Sequence, residues 1–132
     1  MKKVGSGKTV LLVDDDERIR RMLSFLFLAR GFKVEEAENG ADAFELLSKS
    51  TPDVIIVDFM MPVMDGFEFC NKIKDNEDYN SIPLIILSAL SADEYKIKIE
   101  ALDIYRCFEK PFRSTDILQT AIKAVQNLPA TE

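Results

Sequence analysis

Two groups of aspartates stand where apolar segments of the chain end. Asp58 follows the apolar run 54–57, and Asp14-Asp15-Asp16 follows the run 10–13. Such runs are typical of parallel strands covered on both faces, whose carboxyl ends meet at one edge of a sheet. Open α/β sheets bind ligands at that edge, and carboxylates gathered there repel one another unless a cation or a proton lies between them. The pattern predicts a hard-metal site beside a reactive aspartate.

Composition narrows the classes of function. The chain has 132 residues, 23 acidic against 17 basic, and a net charge of −6. This balance argues against direct binding of nucleic acid or of an anionic membrane surface. No apolar stretch approaches the roughly 20 residues of a membrane span, and no signal-peptide pattern occurs. We therefore expect one cytoplasmic domain without a membrane partner.

The chain contains no histidine and only two cysteines, Cys70 and Cys107. Ser-His-Asp and Cys-His catalytic sites are therefore excluded, and a disulfide framework or a four-ligand zinc site is not expected. Any phosphohistidine in the chemistry of this protein must lie on another chain.

Strand and helix patterns alternate five times along the sequence. The predicted strands are 10–13, 32–37, 53–57, 83–88 and 104–109, and the predicted helices are 16–30, 41–49, 67–74, 91–102 and 114–127, the last capped by Ser114. Such repeated units imply a parallel sheet with right-handed crossovers. We expect a flexible segment over 1–8, one domain over 9–127 and a tail over 128–132. Gly7-Lys8-Thr9 does not form a P-loop, because Lys2 occupies the required glycine position and the strand follows the segment.

Four motifs, each at the end of a predicted strand, together resemble the receiver domain of two-component response regulators. They are Leu12-Val13-Asp14-Asp15, the segment 52–62 with Asp65-Gly66, the segment 82–89, and Lys110-Pro111-Phe112. The resemblance covers about residues 9–127. It implies an α/β, flavodoxin-like (βα)5 three-layer sandwich with a parallel five-stranded sheet of order 2-1-3-4-5.

The resemblance also implies roles for the acids. Asp58 corresponds to the phosphoacceptor, whose carboxylate forms an acyl phosphate. Asp14 and Asp15, with Asp58 and the backbone carbonyl of Met60, correspond to the ligands of magnesium, which prefers oxygen. The alternative is that these acids only favour a helix N-terminus, which is the role expected of Asp16.

Ser88 and Lys110 complete the expected site. Lys110 would pair with Asp58 and then with a phosphoryl oxygen, and the Ser88 hydroxyl would donate to another. In the family the Lys110–Pro111 bond is cis, so the same is expected here. The alternatives are an exposed lysine before a turn and a serine that bonds local backbone. The implied partner is a sensor histidine kinase or a histidine phosphotransfer protein, and the added charge would switch partner interactions.

Three positions depart from the usual pattern or tune it. Cys107 occupies the switch position, where the family usually carries Tyr or Phe. Three interpretations of Cys107 are open: a small buried residue, a redox-sensitive thiol, or the sign of a receiver with altered output. Tyr105 is expected on the same strand face as Cys107, further from the active edge. Met60 and Leu90 occupy positions that tune phosphoryl lifetime in the family, and their apolar side chains predict a long-lived acyl phosphate.

The first helix offers a candidate partner surface. Phe25 and Leu28 project away from its expected core stripe, and either pack on neighbouring side chains or dock a kinase's helical phosphohistidine domain. The stripe itself is formed by Ile19, Met22, Leu23 and Leu26.

Two rival functions belong to other classes. One is a receiver-fold interaction module that binds its partner regardless of phosphorylation, a hypothesis kept open by Cys107. The other is an aspartyl phosphatase, which would need a second aspartate where Met60 stands. We expect a signalling domain, not an enzyme.

Overall fold

The computed structural model describes residues 7–59, 66–88 and 100–129. The described strands are β1 (Thr9–Val13), β2 (Lys33–Ala37), β3 (Val54–Asp58), β4 (Leu84–Ser88) and β5 (Arg106–Glu109). The described helices are α1 (Glu17–Ala29), α2 (Gly40–Lys49), α3 (Gly66–Lys74) and α4 (Ser114–Val125). Residues 91–99 of the helix predicted over 91–102 lie outside the described residues.

All five strands pair in parallel, in the order β2-β1-β3-β4-β5. The flavodoxin-like fold and its strand order are therefore confirmed. The inner strands β1 and β3 are neighbours, with Val13 opposite Val57, so the residues at and after their carboxyl ends lie side by side.

Apolar side chains pack on both faces of the sheet. Val54, Ile55, Ile56 and Val57 are at most 1% exposed, as expected of a strand covered on both sides. One cluster joins β1 and β3 to α2 and α3, and includes Leu11, Val13, Ile55, Val57, Ala43, Leu47, Phe69 and Ile73. The other joins the same strands to α1 and α4, and includes Val10, Leu12, Val54, Ile56, Leu23, Phe27, Ile117 and Ala121.

The predicted core stripe of α1 was only partly correct. The helix buries Leu23 and Phe27, with Arg20 beside them, whereas Met22 is 42% exposed. The remaining stripe residues, Ile19 and Leu26, are half-buried against the same cluster. The face that meets the sheet is therefore rotated from the predicted stripe, because Phe27 rather than Met22 packs inward.

Side chains cap α1 and α2 at their N-termini, but not α4. Asp16 caps α1 by accepting a hydrogen bond from the Arg18 N–H, and the chain leaves this helix through Gly31 at φ 90°. Asn39 caps α2 in the same way, accepting from the Asp42 N–H. The prediction of a Ser114 cap was wrong: Ser114 is the first helical residue of α4, and the cap position is Arg113, without a side-chain hydrogen bond. No described helix is long and apolar enough to span a membrane.

Candidate functional site

Asp14 is held from several sides directly after β1. Its N–H donates to the carbonyl of Ala37 at 3.1 Å, and its Oδ1 accepts from the N–H of Asp16 at 2.8 Å. The residue is 3% exposed. Its second carboxylate oxygen, Oδ2, is buried and finds no hydrogen-bond donor within the described parts of the chain. A buried acceptor left in this way is a position that a cation or a proton can fill.

Asp58 is the last residue of β3 and is 3% exposed. Each of Asp14, Asp15 and Asp58 offers a carboxylate oxygen, and these oxygens lie within 4.8 Å of one another. Asp15 is exposed while the other two are buried, so the acidic cluster opens to solvent on the side of Asp15. The structure thus brings together the three carboxylates that the sequence predicted as metal ligands.

The electrostatics of the acidic cluster favour an added positive charge. Burial raises the pKa of Asp14 to about 7, and the negative charge of Asp58 contributes in the same direction. The hydrogen bond from the Asp16 N–H and the charge of Lys110 lower this pKa in part. A buried carboxylate that resists ionisation, a neighbouring carboxylate and an unsatisfied oxygen together fit a magnesium ion, which prefers oxygen ligands. The expected fourth ligand, the Met60 carbonyl, lies outside the described residues, as does Leu90.

Ser88 and Lys110 lie at the same edge as the acids. Ser88 ends β4 and is 2% exposed, and its carbonyl accepts the Lys110 N–H at 2.8 Å. The Lys110 ammonium lies 3.7 Å from Oδ2 of Asp58. The Lys110–Pro111 bond is cis, which confirms the expectation from the resemblance.

Gly66 has a role that the sequence did not reveal. Its N–H donates to the carbonyl of Phe59 at 3.0 Å, where α3 begins against the end of β3. A Cβ added at Gly66 would lie 2.6 Å from the carbonyl oxygen of Asp58 and would also overlap the Phe59 backbone. Only glycine lets α3 start this close to Asp58. The Asp65-Gly66 pair was a signal for the motif, but not for this contact.

The surroundings of Cys107 correct one prediction. Cys107 packs on the α2–α3 side of the sheet, whereas Tyr105 packs on the α1–α4 side. The Tyr105 hydroxyl donates to the carbonyl of Leu128. The expected shared face was wrong because Tyr105 precedes β5, and alternation applies only within a strand. Burial and the charge of Glu109 raise the pKa of the Cys107 thiol, which disfavours the reactive thiolate.

The fold and this edge define a class of protein: a flavodoxin-like α/β domain with a cluster of three aspartates at the carboxyl ends of its inner strands. The profile of the response regulator receiver domain family matches residues 10–122. Protein PilG of Pseudomonas aeruginosa is 36% identical over 126 residues, which cover 94% of this chain and 91% of PilG. The chain covers only 52% of a second relative, the phosphate regulon transcriptional regulatory protein PhoB of the same species, at 33% identity.

Solved structures agree in fold. The chemotaxis response regulator CheY4 of Vibrio cholerae matches with a TM-score of 0.81 and 34% identity, over 89% of this chain and 98% of CheY4. A signal receiver domain of a signal transduction histidine kinase from Syntrophus aciditrophicus matches with a TM-score of 0.86 and 27% identity, over 96% of both chains. The chain belongs to the response regulator receiver domain family. Members of this family are signalling domains of two-component systems rather than classical enzymes.

Proposed function

We propose that this receiver domain takes a phosphoryl group from a phosphohistidine on a partner protein onto Asp58, with magnesium. The observation that carries the proposal is the position of the Asp58 carboxylate. It is buried, it shares an edge of the sheet with Asp14 and Asp15, and it lies 3.7 Å from the Lys110 ammonium. The Asp58 carboxylate therefore has the Lys110 ammonium on one side and the proposed magnesium site on the other.

The transfer needs positioning and charge neutralisation more than acid–base chemistry. An oxygen of the Asp58 carboxylate attacks phosphorus, a new O–P bond forms, and the P–N bond to the partner's histidine breaks. The imidazole nitrogen leaves with the electron pair and takes up a proton. No general base is needed, because the nucleophile is already an anion.

The groups around Asp58 would each bind or neutralise the phosphoryl group that Asp58 carries. Asp14 and Asp15, with Asp58, would hold magnesium, which supplies positive charge for the phosphoryl oxygens. The Lys110 ammonium remains beside Asp58 and can bind one of those oxygens. Ser88, buried at the end of β4, is proposed to donate its hydroxyl to another.

The partner is proposed to be a sensor histidine kinase or a histidine phosphotransfer protein, in the cytoplasm, where receiver domains typically act. Phe25 is 74% exposed and Leu28 is 55% exposed, which contradicts the alternative that they pack on neighbouring side chains. An exposed apolar face on α1 supports docking of a helical partner there.

The test is intact mass after incubation with magnesium and acetyl phosphate. The parent chain and Asp16→Asn, which keeps a capping side chain at α1, should each gain one phosphoryl group, whereas Asp58→Ala should gain none. Phosphorylation of Asp58→Ala to the same extent would refute the assignment of the acceptor.

A second candidate is an interaction module that binds its partner in either phosphorylation state. In the usual switch of the family, the Ser or Thr moves toward the phosphoryl group and an aromatic ring at the position of Cys107 follows it inward. Cys107 is too small for that movement, and Tyr105 packs on the opposite side of the sheet, so Tyr105 does not replace the ring. Equal partner affinity with and without the phosphoryl group, measured by calorimetry, would favour this candidate. A change of tenfold or more would favour the switch.

A further inference from the structure

Arg20 is a buried arginine that the proposed chemistry does not use. It lies on α1 and is 8% exposed. A buried guanidinium must be paired and hydrogen-bonded, because its desolvation is otherwise costly. Its Nε donates to Oε1 of Glu36 at 3.2 Å, and its Nη1 donates to the backbone carbonyl of Asp14 at 2.6 Å. The Arg20 side chain therefore joins Glu36 of β2 to the backbone of Asp14.

The hydrogen bond from Arg20 holds a third polar atom of Asp14, its backbone carbonyl oxygen. The N–H of Asp14 is bonded to the end of β2, its Oδ1 to the Asp16 N–H, and its carbonyl to Arg20. Of the four polar atoms of Asp14, only Oδ2 lacks a partner among the residues that the structure describes. With three atoms fixed, the direction of Oδ2 is fixed as well.

We propose that Arg20 is a positioning residue, which holds the Asp14 backbone so that Oδ2 faces the space shared with Asp15 and Asp58. The inference rests on the proposed function, because that space is the proposed magnesium site. The hydrogen bond from Arg20 to Asp14 ends on the backbone carbonyl, so Arg20 acts on this residue through the backbone. Residues that orient metal ligands typically contribute about 10- to 100-fold in metal affinity.

Three variants separate positioning from general support of the fold. Arg20→Met removes the donors and keeps an apolar stem. Arg20→Lys keeps a cationic donor group on a single nitrogen. Glu36→Ala removes the ion pair while leaving the bond to the Asp14 carbonyl. Magnesium affinity is measured by calorimetric titration of each folded variant. The environment of the Asp16 amide, which donates to Asp14, is followed by NMR.

We expect Arg20→Met to weaken magnesium binding by about 10- to 100-fold and to shift the Asp16 amide signal in the metal-free protein. Arg20→Lys should recover most of the affinity, and Glu36→Ala should bind within about twofold of the parent. A structural role alone would lower stability in all three variants without this order of affinities. If Arg20→Met is unfolded in buffer, the titration is made in trimethylamine oxide, which favours the folded state.

Two outcomes would overturn the inference: an unchanged affinity in folded Arg20→Met, or an equal loss in Glu36→Ala. Both leave the proposed function intact, because the parent chain would still bind magnesium. Failure of the parent chain to bind magnesium, in contrast, would remove the proposed function and the inference together.

Discussion

Replacing Asp14 by asparagine should stabilise the metal-free protein at alkaline pH. Asparagine is nearly isosteric with aspartate, and its side-chain oxygen can still accept the Asp16 N–H. What disappears is a buried negative charge beside Asp58. The variant therefore removes the cost of burying that charge, and its repulsion from Asp58, from the metal-free protein. It also removes one proposed ligand of magnesium.

The sign and size of the effect follow from the pKa of Asp14, which is raised from 3.8 to about 7 in the folded protein. The folded state holds this proton more tightly than the unfolded state, so the parent chain loses stability as pH rises from about 4 to about 7. At about 1.4 kcal/mol per pH unit, the limiting loss is roughly 4 kcal/mol. Because Asp58 shares the repulsion and charged groups relax, we expect a gain of about 1–3 kcal/mol for Asp14→Asn at pH 8.

The assay is urea unfolding of the parent and of Asp14→Asn, with a chelator, at pH 8 and at pH 4.5. Comparing the two proteins at each pH cancels the titration of all other groups. Asp15→Asn is the matched control, since that carboxylate is exposed, and its free energy of unfolding should change by less than about 0.5 kcal/mol. Saturating magnesium should stabilise the parent more than Asp14→Asn.

A gain of the same size at both pH values would refute this reasoning, because the cause would not be the charge. An Asp14→Asn protein that is less stable than the parent at pH 8 would refute it as well. The carboxylate would then make an interaction whose free energy exceeds the cost of its burial and repulsion.

Three further predictions concern other parts of the molecule. Gly66→Ala should lower the free energy of unfolding by about 1–3 kcal/mol in urea titrations, since the added methyl group meets the backbone of Asp58, and an unchanged value would contradict the close contact. Replacing Met60 and Leu90 together by polar residues should shorten the lifetime of the acyl phosphate, followed by intact mass over time; an equal lifetime would count against shielding from water. Phe25→Ser should weaken docking of a phosphohistidine partner at least tenfold in calorimetry while leaving phosphorylation by acetyl phosphate unchanged.

The acidic site was predictable because its residues lie at and just after strand ends. Asp14 and Asp58 each adjoin an uninterrupted apolar run, and parallel strands bring such ends to one edge whatever their order in the sheet. The order itself came from the resemblance, since alternating strands and helices indicate a parallel sheet but not which strands are neighbours. The identity of the acids and their closeness thus came from residue patterns, and the topology from likeness to a family.

Other features depend on contacts between distant parts of the chain, which local patterns do not contain. The sequence did not single out Arg20, because its burial depends on Glu36 and on the carbonyl of Asp14, which lie outside its own helix. Tyr105 looked like part of a strand, but the strand begins one residue later and the ring packs towards α4. In both cases the deciding contacts come from other parts of the chain, which local spacing does not describe.

The order of the strands also determines how firmly each side of the site is anchored. β1, β3 and β4 each have neighbours on both sides, whereas β5 is a four-residue edge strand bonded to β4 alone. Local opening of a sheet starts where backbone hydrogen bonds are fewest, so the amides of β5 should exchange with deuterated water before those of β3. Lys110 follows directly after β5. Transient opening of β5 would therefore loosen the Lys110 side of the proposed site, while Asp58, at the end of the central strand β3, stays in place.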